Sequence, residues 1–230
     1  MCAPDMAPEV VARFGVEPCL LITLSMKQTL SRSMKTLMDI GIAAAKHGTN
    51  PAVYLAGVRR IKPTWAVVPD KFADFRQTLA LWLRYAPTIS RYATPVFVVQ
   101  EFHRPNILRI LLDLRRLGIV GVALPMRRHP DVNCSLEPRL CAERAERALQ
   151  ALCGAVEHIH LLGPALRAVR LLRGALIQCE RGGTVASFDT SAYRRAPNLL
   201  IKKQLGGRWQ PRNREEAVAM LEAWLRQALA

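Results

Sequence analysis

The 230-residue sequence lacks several features that define common protein classes. No stretch approaches the roughly eighteen consecutive apolar residues of a membrane-spanning helix, and no basic start followed by an apolar run marks a secretory leader. GxGxxG, GxxxxGK[ST] and GxSxG motifs are all missing, so the sequence indicates neither a dinucleotide site, nor a nucleoside-triphosphate loop, nor a hydrolase nucleophile elbow. We expect a cytoplasmic protein that does not enter a membrane.

The six cysteines also lack the spacing of a zinc site, because none forms a CxxC or CxC pair. Cysteines in reducing compartments are usually free thiols buried as small hydrophobic residues. We therefore expect reduced thiols. A metal held by a histidine together with Cys134, Cys141 and Cys153 is the less favoured alternative.

Acidic residues are few beside the basic ones. Eighteen Asp and Glu accompany 33 Lys and Arg, so the formal net charge is +15 at pH 7. Such a charge favours a nucleic-acid partner, since counterions released from the polyanion drive binding, over a basic surface without a ligand. Half of the residues are apolar, enough for a sizeable core, which excludes a disordered polybasic tail as the main content.

Short apolar runs alternate along the chain with segments of helical spacing. Strands are predicted at 19–24, 52–58, 65–69, 95–100, 119–124, 158–162 and 185–188, with a weaker one at 199–202. Helices are predicted at 31–47, 72–85, 106–117, 138–153, 165–172 and 214–229.

This alternation favours a parallel sheet in an α/β fold. We expect a compact (β/α)8 TIM-like barrel that lacks one or more helices, with an open doubly wound sheet as the alternative. One domain would cover residues 1–230, with a flexible start at 1–17 and an amphipathic helix in 212–230.

Polar residues mark the ends of four predicted strands. Asp70 follows the third, Gln100 ends the fourth, His160 lies in the sixth and Asp189 follows the seventh. Because the carboxyl ends of barrel strands meet at one mouth, we expect these residues to share a site. Each alone could be a helix cap or a core residue, so the coincidence of four supports the prediction. Two carboxylates could act as nucleophile and as acid/base at a glycosidic carbon.

Five segments in this order, 68–70, 97–100, 118–124, 160–163 and 187–189, together resemble the tRNA-guanine transglycosylase superfamily. The likeness is closest to its deazapurine DNA-modification branch, the DNA-guanine transglycosylases of the DpdA type. It covers roughly residues 65–200. The sequence departs from the transfer-RNA enzymes in two ways, because it lacks their early Ser-Gly-Gly loop and their CxC and CxxC zinc motif. We therefore carry over no general acid/base from that loop and expect no structural zinc.

The resemblance implies roles for the matching residues. Asp189 would be the nucleophile that bonds covalently to C1′ of the sugar. Asp70 would recognise the base, and His160 would orient a carboxylate or move a proton. The base pocket would be formed by Gln100, Leu162, Gly163 and Ser187.

The implied activity is that of a pentosyltransferase that exchanges guanine in a nucleic acid for a 7-deazaguanine base such as preQ0. DNA is the expected polymer and tRNA the alternative. The free base would be the co-substrate, no cofactor is evident, and a helper ATPase could open the duplex. Phosphates would be held by basic residues that follow the nucleophile, namely Arg194, Arg195, Lys202, Lys203 and Arg208. Two alternative hypotheses stay open. The protein could be a hydrolytic base glycosylase, or a non-catalytic nucleic-acid-binding barrel that serves a partner enzyme.

Overall fold

The computed structural model describes residues 20–23, 36–39, 50–104, 114–126, 137–164 and 166–188. Its strands are β1 (Leu20–Thr23), β2 (Thr36–Asp39), β3 (Trp65–Val67), β4 (Thr94–Val98), β5 (Gly121–Pro125), β6 (His158–Leu162) and β7 (Val185–Phe188). Its helices are α1 (Pro51–Ile61), α2 (Phe75–Ile89), α3 (Pro138–Leu152) and α4 (Leu166–Arg181), together with a short 3-10 helix at Leu114–Leu117. The expected α/β class is confirmed.

All seven strands are parallel and lie side by side in chain order from β1 to β7. Right-handed crossovers in this order place the helices on one face of the sheet, and residues of all four helices share one core with the strands. The order has no reversal, unlike that of an open doubly wound sheet. The described strands form an open half-barrel and not the closed eight-stranded barrel that we expected. No pairing joins β1 to β7 among them, and the predicted strand at 199–202 lies outside the described residues.

The sheet is strongly curved around the face that the helices do not cover. Trp65 on β3 stacks on His158 on β6 with ring centroids 4.3 Å apart, although β4 and β5 lie between these strands. In a flat sheet, three strand spacings of about 4.8 Å would separate the two backbones by about 14 Å. The uncovered face is therefore the inner, concave face, with a small core of its own.

Six strand predictions are confirmed, but the predicted strand at 52–58 is wrong. These residues belong to α1, whose first turn is capped because the Asn50 side chain accepts a hydrogen bond from the Ala52 N–H at 2.9 Å. Pro51 occupies the start of the helix, where its missing N–H costs nothing. Tyr54 and Val58, four residues apart, face the core, which is a helical and not a strand period.

The helix predicted over 31–47 is also wrong at residues 36–39, which form β2 between β1 and β3. The helices predicted at 72–85, 138–153 and 165–172 are confirmed as α2, α3 and α4, with α4 continuing to Arg181. Of the helix predicted at 106–117, the structure describes only the short 3-10 helix. The predicted start at 1–17 and the helix at 214–229 lie outside the described residues.

The cysteines differ from the expected set of reduced thiols. Cys153, just after α3, is disulfide-bonded to Cys179 of α4, with Cα atoms 4.7 Å apart. The two sulfur atoms meet because α3 and α4 pack side by side in the main core. Within the described ranges, no three His, Cys, Asp or Glu residues are grouped so that they could hold a metal ion. Over the same ranges, no helix has the length and apolar character needed to cross a membrane.

Candidate functional site

Asp70 and Gln100 lie together at the carboxyl ends of β3 and β4. Gln100 Nε2 donates a hydrogen bond of 2.6 Å to Asp70 Oδ2, and Gln100 Oε1 accepts one of 3.1 Å from the Ala73 N–H. The amide is thus held at both ends, and its residue is only 2% exposed. Asp70 does not cap α2, because Asp74 does so by accepting from the Gln77 N–H at 2.9 Å. The helix-cap alternative for Asp70 is therefore wrong.

A second carboxylate, Asp39, ends β2 and acts electrostatically on Asp70. Burial and then the negative charge of Asp39 raise the pKa of Asp70 from 3.8 to about 6, against the opposing effect of the hydrogen bond from Gln100. Like charges at close range resist simultaneous ionisation, so the two carboxyl groups favour a state that retains a proton. Such a pair can give and take a proton close to neutral pH.

The Tyr54 hydroxyl holds the ends of β2 and β3 at a fixed spacing. From the buried side of α1 its single O–H proton is shared between two backbone oxygens, that of Val67 at 2.6 Å and that of Met38 at 3.0 Å. Burial, and then the charges of Asp39 and Asp70, raise the pKa of Tyr54 well above its usual value, so the hydroxyl remains a donor. Tyr54 thereby ties together the two strand ends that lead into the carboxylates.

A second polar group lies on the inner face, between β6 and β7. His158 Nε2 is 2.7 Å and His160 Nδ1 is 2.8 Å from Ser187 Oγ. Burial, and next the neighbouring His160, lower the pKa of His158 from 6.5 to about 3, so the ring is neutral at pH 7. Trp65 covers this ring by stacking on it.

The remaining predicted residues are placed only in part. Leu162 lies on the inner face, two residues after His160, and packs against the small core there. Gly163 adopts a left-handed backbone with a φ of 61°, which turns the chain out of β6. Asp189 lies outside the described residues, directly after β7 in the sequence. Arg194, Arg195, Lys202, Lys203 and Arg208 also lie outside them.

Four residues of these two polar groups are not singled out by the sequence pattern, namely Asp39, Tyr54, His158 and Trp65. Asp39 carries a usable signal, because it ends an apolar run as Asp70 does, but the spacing of that run predicts a helix. Tyr54 lies in the segment 52–58, which the apolar run wrongly predicts as a strand, so the pattern does not place its side chain near the ends of β2 and β3. His158 could have been found from His160, since residues two apart share one face of a strand.

Comparison with known proteins gives no assignment: no family model matches this chain, and no curated protein does either. A function for this chain is therefore inferred from the two polar groups described above, together with the sequence resemblance. One group offers carboxylates and an amide at the carboxyl edge of the sheet. The other offers two imidazoles joined by a hydroxyl.

Proposed function

We propose that this protein is a nucleic-acid guanine transglycosylase, a pentosyltransferase that exchanges guanine for a 7-deazaguanine base, with DNA as the expected polymer. The observation that supports the proposal best is the hydrogen-bonded pair of Asp70 and Gln100 at the carboxyl edge of the parallel sheet. Ligands of such sheets bind at this edge, where the loops after the strands meet.

The Asp70–Gln100 pair matches the hydrogen-bonding edge of guanine. That edge presents two donors, N1–H and the 2-amino group, beside one acceptor, O6. A carboxylate only accepts, and it has lone pairs beyond the one that Gln100 uses. The second Nε2 proton of Gln100 can donate to O6. A 7-deazaguanine base carries the same edge, so one pocket can take both the departing and the entering base, as exchange requires.

The exchange also needs a proton carrier. Departing guanine takes up a proton after it leaves the sugar with the bonding electron pair, and the entering base must lose its N9 proton. Because N9 lies across the purine from the edge that Asp70 would read, Asp70 is not placed to exchange this proton, and the N9 proton passes through solvent.

The covalent step is assigned to Asp189 from the resemblance and from its place directly after β7. A carboxylate oxygen of Asp189 bonds to C1′ as the bond from C1′ to N9 of guanine breaks. N9 of the 7-deazaguanine base, giving up its proton, then attacks C1′ and displaces Asp189. The bonds broken and formed balance, so this step needs no ATP. A base buried in a duplex must first leave its stack.

The test is incubation of the full chain with preQ0 and with single-stranded DNA, double-stranded DNA or tRNA in parallel, followed by mass spectrometry of the nucleosides. We expect a deazaguanine nucleoside with the wild type, none with Asp189→Ala, and undiminished product with the exposed control Glu180→Gln. Product in tRNA alone would identify tRNA, and not DNA, as the substrate. Free guanine with abasic sites and no incorporation would identify a hydrolytic glycosylase. Salt-sensitive binding without any product would identify a non-catalytic nucleic-acid-binding protein.

A further inference from the structure

Two histidines and a serine form a closed network on the inner face of the sheet. His158 and His160 lie two residues apart on β6, and the register pairs His160 with Ser187 of β7. Both histidines are 2% exposed, and a nitrogen of each approaches the same Ser187 Oγ, at 2.7 and 2.8 Å. Because a serine hydroxyl carries a single proton, it can donate to one ring only and must accept from the other.

The direction of the network follows from the other nitrogen of His158. Nδ1 of that ring is buried and has no hydrogen-bond partner within the described ranges. A buried N–H without an acceptor costs about 1–3 kcal/mol, and orphaned N–H groups are rarer than under-satisfied acceptors. The proton of the neutral ring therefore resides on Nε2, the nitrogen that contacts Ser187.

We propose that a directional hydrogen-bond relay runs from His158 Nε2–H through the Ser187 hydroxyl to His160 Nδ1, and that it holds His160 in the tautomer protonated on Nε2. Each bond determines the next, because His158 donates to the serine oxygen and leaves the serine proton to be donated to His160. The Trp65 ring, stacked on His158 at 4.3 Å, keeps the first member of the relay in place.

The relay makes Ser187 and the two histidines positioning residues for the exchange reaction, a role that rests on the proposed function. β7 is the last described strand, and its described residues are partly or largely exposed. Its backbone pairs with β6 alone among the described strands, so the two bonds to Ser187 add a side-chain attachment to a weakly held strand. In the sequence, Asp189 follows Ser187 by two residues and comes directly after the last residue of β7. The relay thus acts on the nucleophile through the chain that leads to it.

The relay itself is tested by nitrogen–proton correlation spectra of the imidazole rings in the full, histidine-labelled chain at pH 7. The chain has five histidines, and His158→Gln and His160→Gln assign the two signals. We expect both rings to carry the proton on Nε2 in the wild type. Ser187→Ala should leave His160 as a mixture of tautomers, and Ser187→Thr should restore the single form. A wild-type His160 protonated on Nδ1 would overturn the relay, and this measurement does not depend on whether the alanine variant folds.

The positioning role is tested by steady-state exchange with the same variants. We expect Ser187→Ala to lower kcat about tenfold to a hundredfold, as misplacement of a reacting group does, with KM for preQ0 changed less than about twofold. Ser187→Thr should recover most of kcat. Unchanged kcat in Ser187→Ala would refute the positioning role. If the wild type shows the expected tautomers but no base exchange, the proposed function is refuted and the relay is still supported.

Discussion

At the carboxyl end of β3, the Asp70 carboxyl group sits where its ionised form is disfavoured. Burial and the charge of Asp39 raise its pKa from 3.8 to about 6, so the folded protein binds more protons than the unfolded chain across that interval. The stabilisation that protonated Asp70 contributes to the fold is fully present below pH 3.8, and it is lost as the pH rises through 6. Asp70 thus lowers the free energy of unfolding at the pH at which it is proposed to read a base.

Asp70→Asn should remove this penalty while keeping an oxygen for Gln100. Relative to the wild type, we expect its free energy of unfolding to rise by about 2 kcal/mol between pH 3.5 and pH 8, a value reduced for the partial exposure of Asp70. Urea titrations of both proteins at a series of pH values measure the difference. A difference that does not change with pH would show that Asp70 ionises as in the unfolded chain. The same variant should lose base exchange.

Tyr54 ties together the ends of β2 and β3, the strands that lead to Asp39 and Asp70. Tyr54→Phe leaves two buried backbone oxygens, of Met38 and Val67, without their shared donor, and we expect a loss of about 1–3 kcal/mol of stability. Thermal unfolding and the exchange rate together measure the effect, and exchange should fall even where the variant is fully folded. Tyr85→Phe, at a partly buried tyrosine of α2, is the matched control and should change neither. Equal effects of the two substitutions would argue against the positioning role of Tyr54.

At the scale of single elements, β5 makes the curvature of the sheet possible. Gly121 lies on the inner face between Val96 and His158, where an added Cβ would be 3.4 Å from Val96 Cγ2 and 3.9 Å from His158 Cβ. A methyl group therefore fits in ordinary contact, but larger side chains extend towards the stacked rings of Trp65 and His158. A small residue at this position lets rings from β3 and β6 meet across two strands.

Substitutions at Gly121 test this packing. Gly121→Ala should be close to neutral, whereas Gly121→Val should cost about 1–3 kcal/mol, as overpacking does, despite the greater strand propensity of valine. Denaturant unfolding measures both, and tryptophan fluorescence reports displacement of Trp65 from His158. If the valine variant were as stable as the alanine variant, the two rings would not be packed as the structure places them.

The sequence predicts a strand correctly where several apolar residues stand in a row and the run has a clear start and end. Strands β3 to β7 are examples. The two errors have a common physical origin. Both β2 and α1 come from short apolar segments, for which periodicity does not separate strand from helix. The fold decides them through long-range pairing of β2 with β1 and β3, and through packing of Tyr54 and Val58 against the sheet. Such contacts are absent from a local pattern.

At the scale of the whole molecule, the seven described strands, parallel and in chain order, bring residues that are distant in the sequence to one edge of the sheet. The ends of two strands in one parallel sheet predict that Asp70 and Gln100 lie close together, and the structure places their side chains in contact. Their hydrogen bond, the proximity of Asp39 and the convergence of two histidines on Ser187 could not be predicted. These features depend on register, sheet curvature and side-chain rotamers, which the order of strands does not determine.

Guanine self-exchange tests most directly whether the site at Asp70 and Gln100 exchanges guanine at C1′, and it does not require the identity of the entering base. The full chain is incubated with unlabelled guanine-containing DNA and free 15N-guanine, with 15N-adenine as the control base. We expect labelled guanine in the DNA with the wild type, none with Asp189→Asn or Asp70→Asn, and no labelled adenine in any case. Release of guanine without incorporation of label, or equal incorporation by the wild type and Asp189→Asn, would contradict the claim.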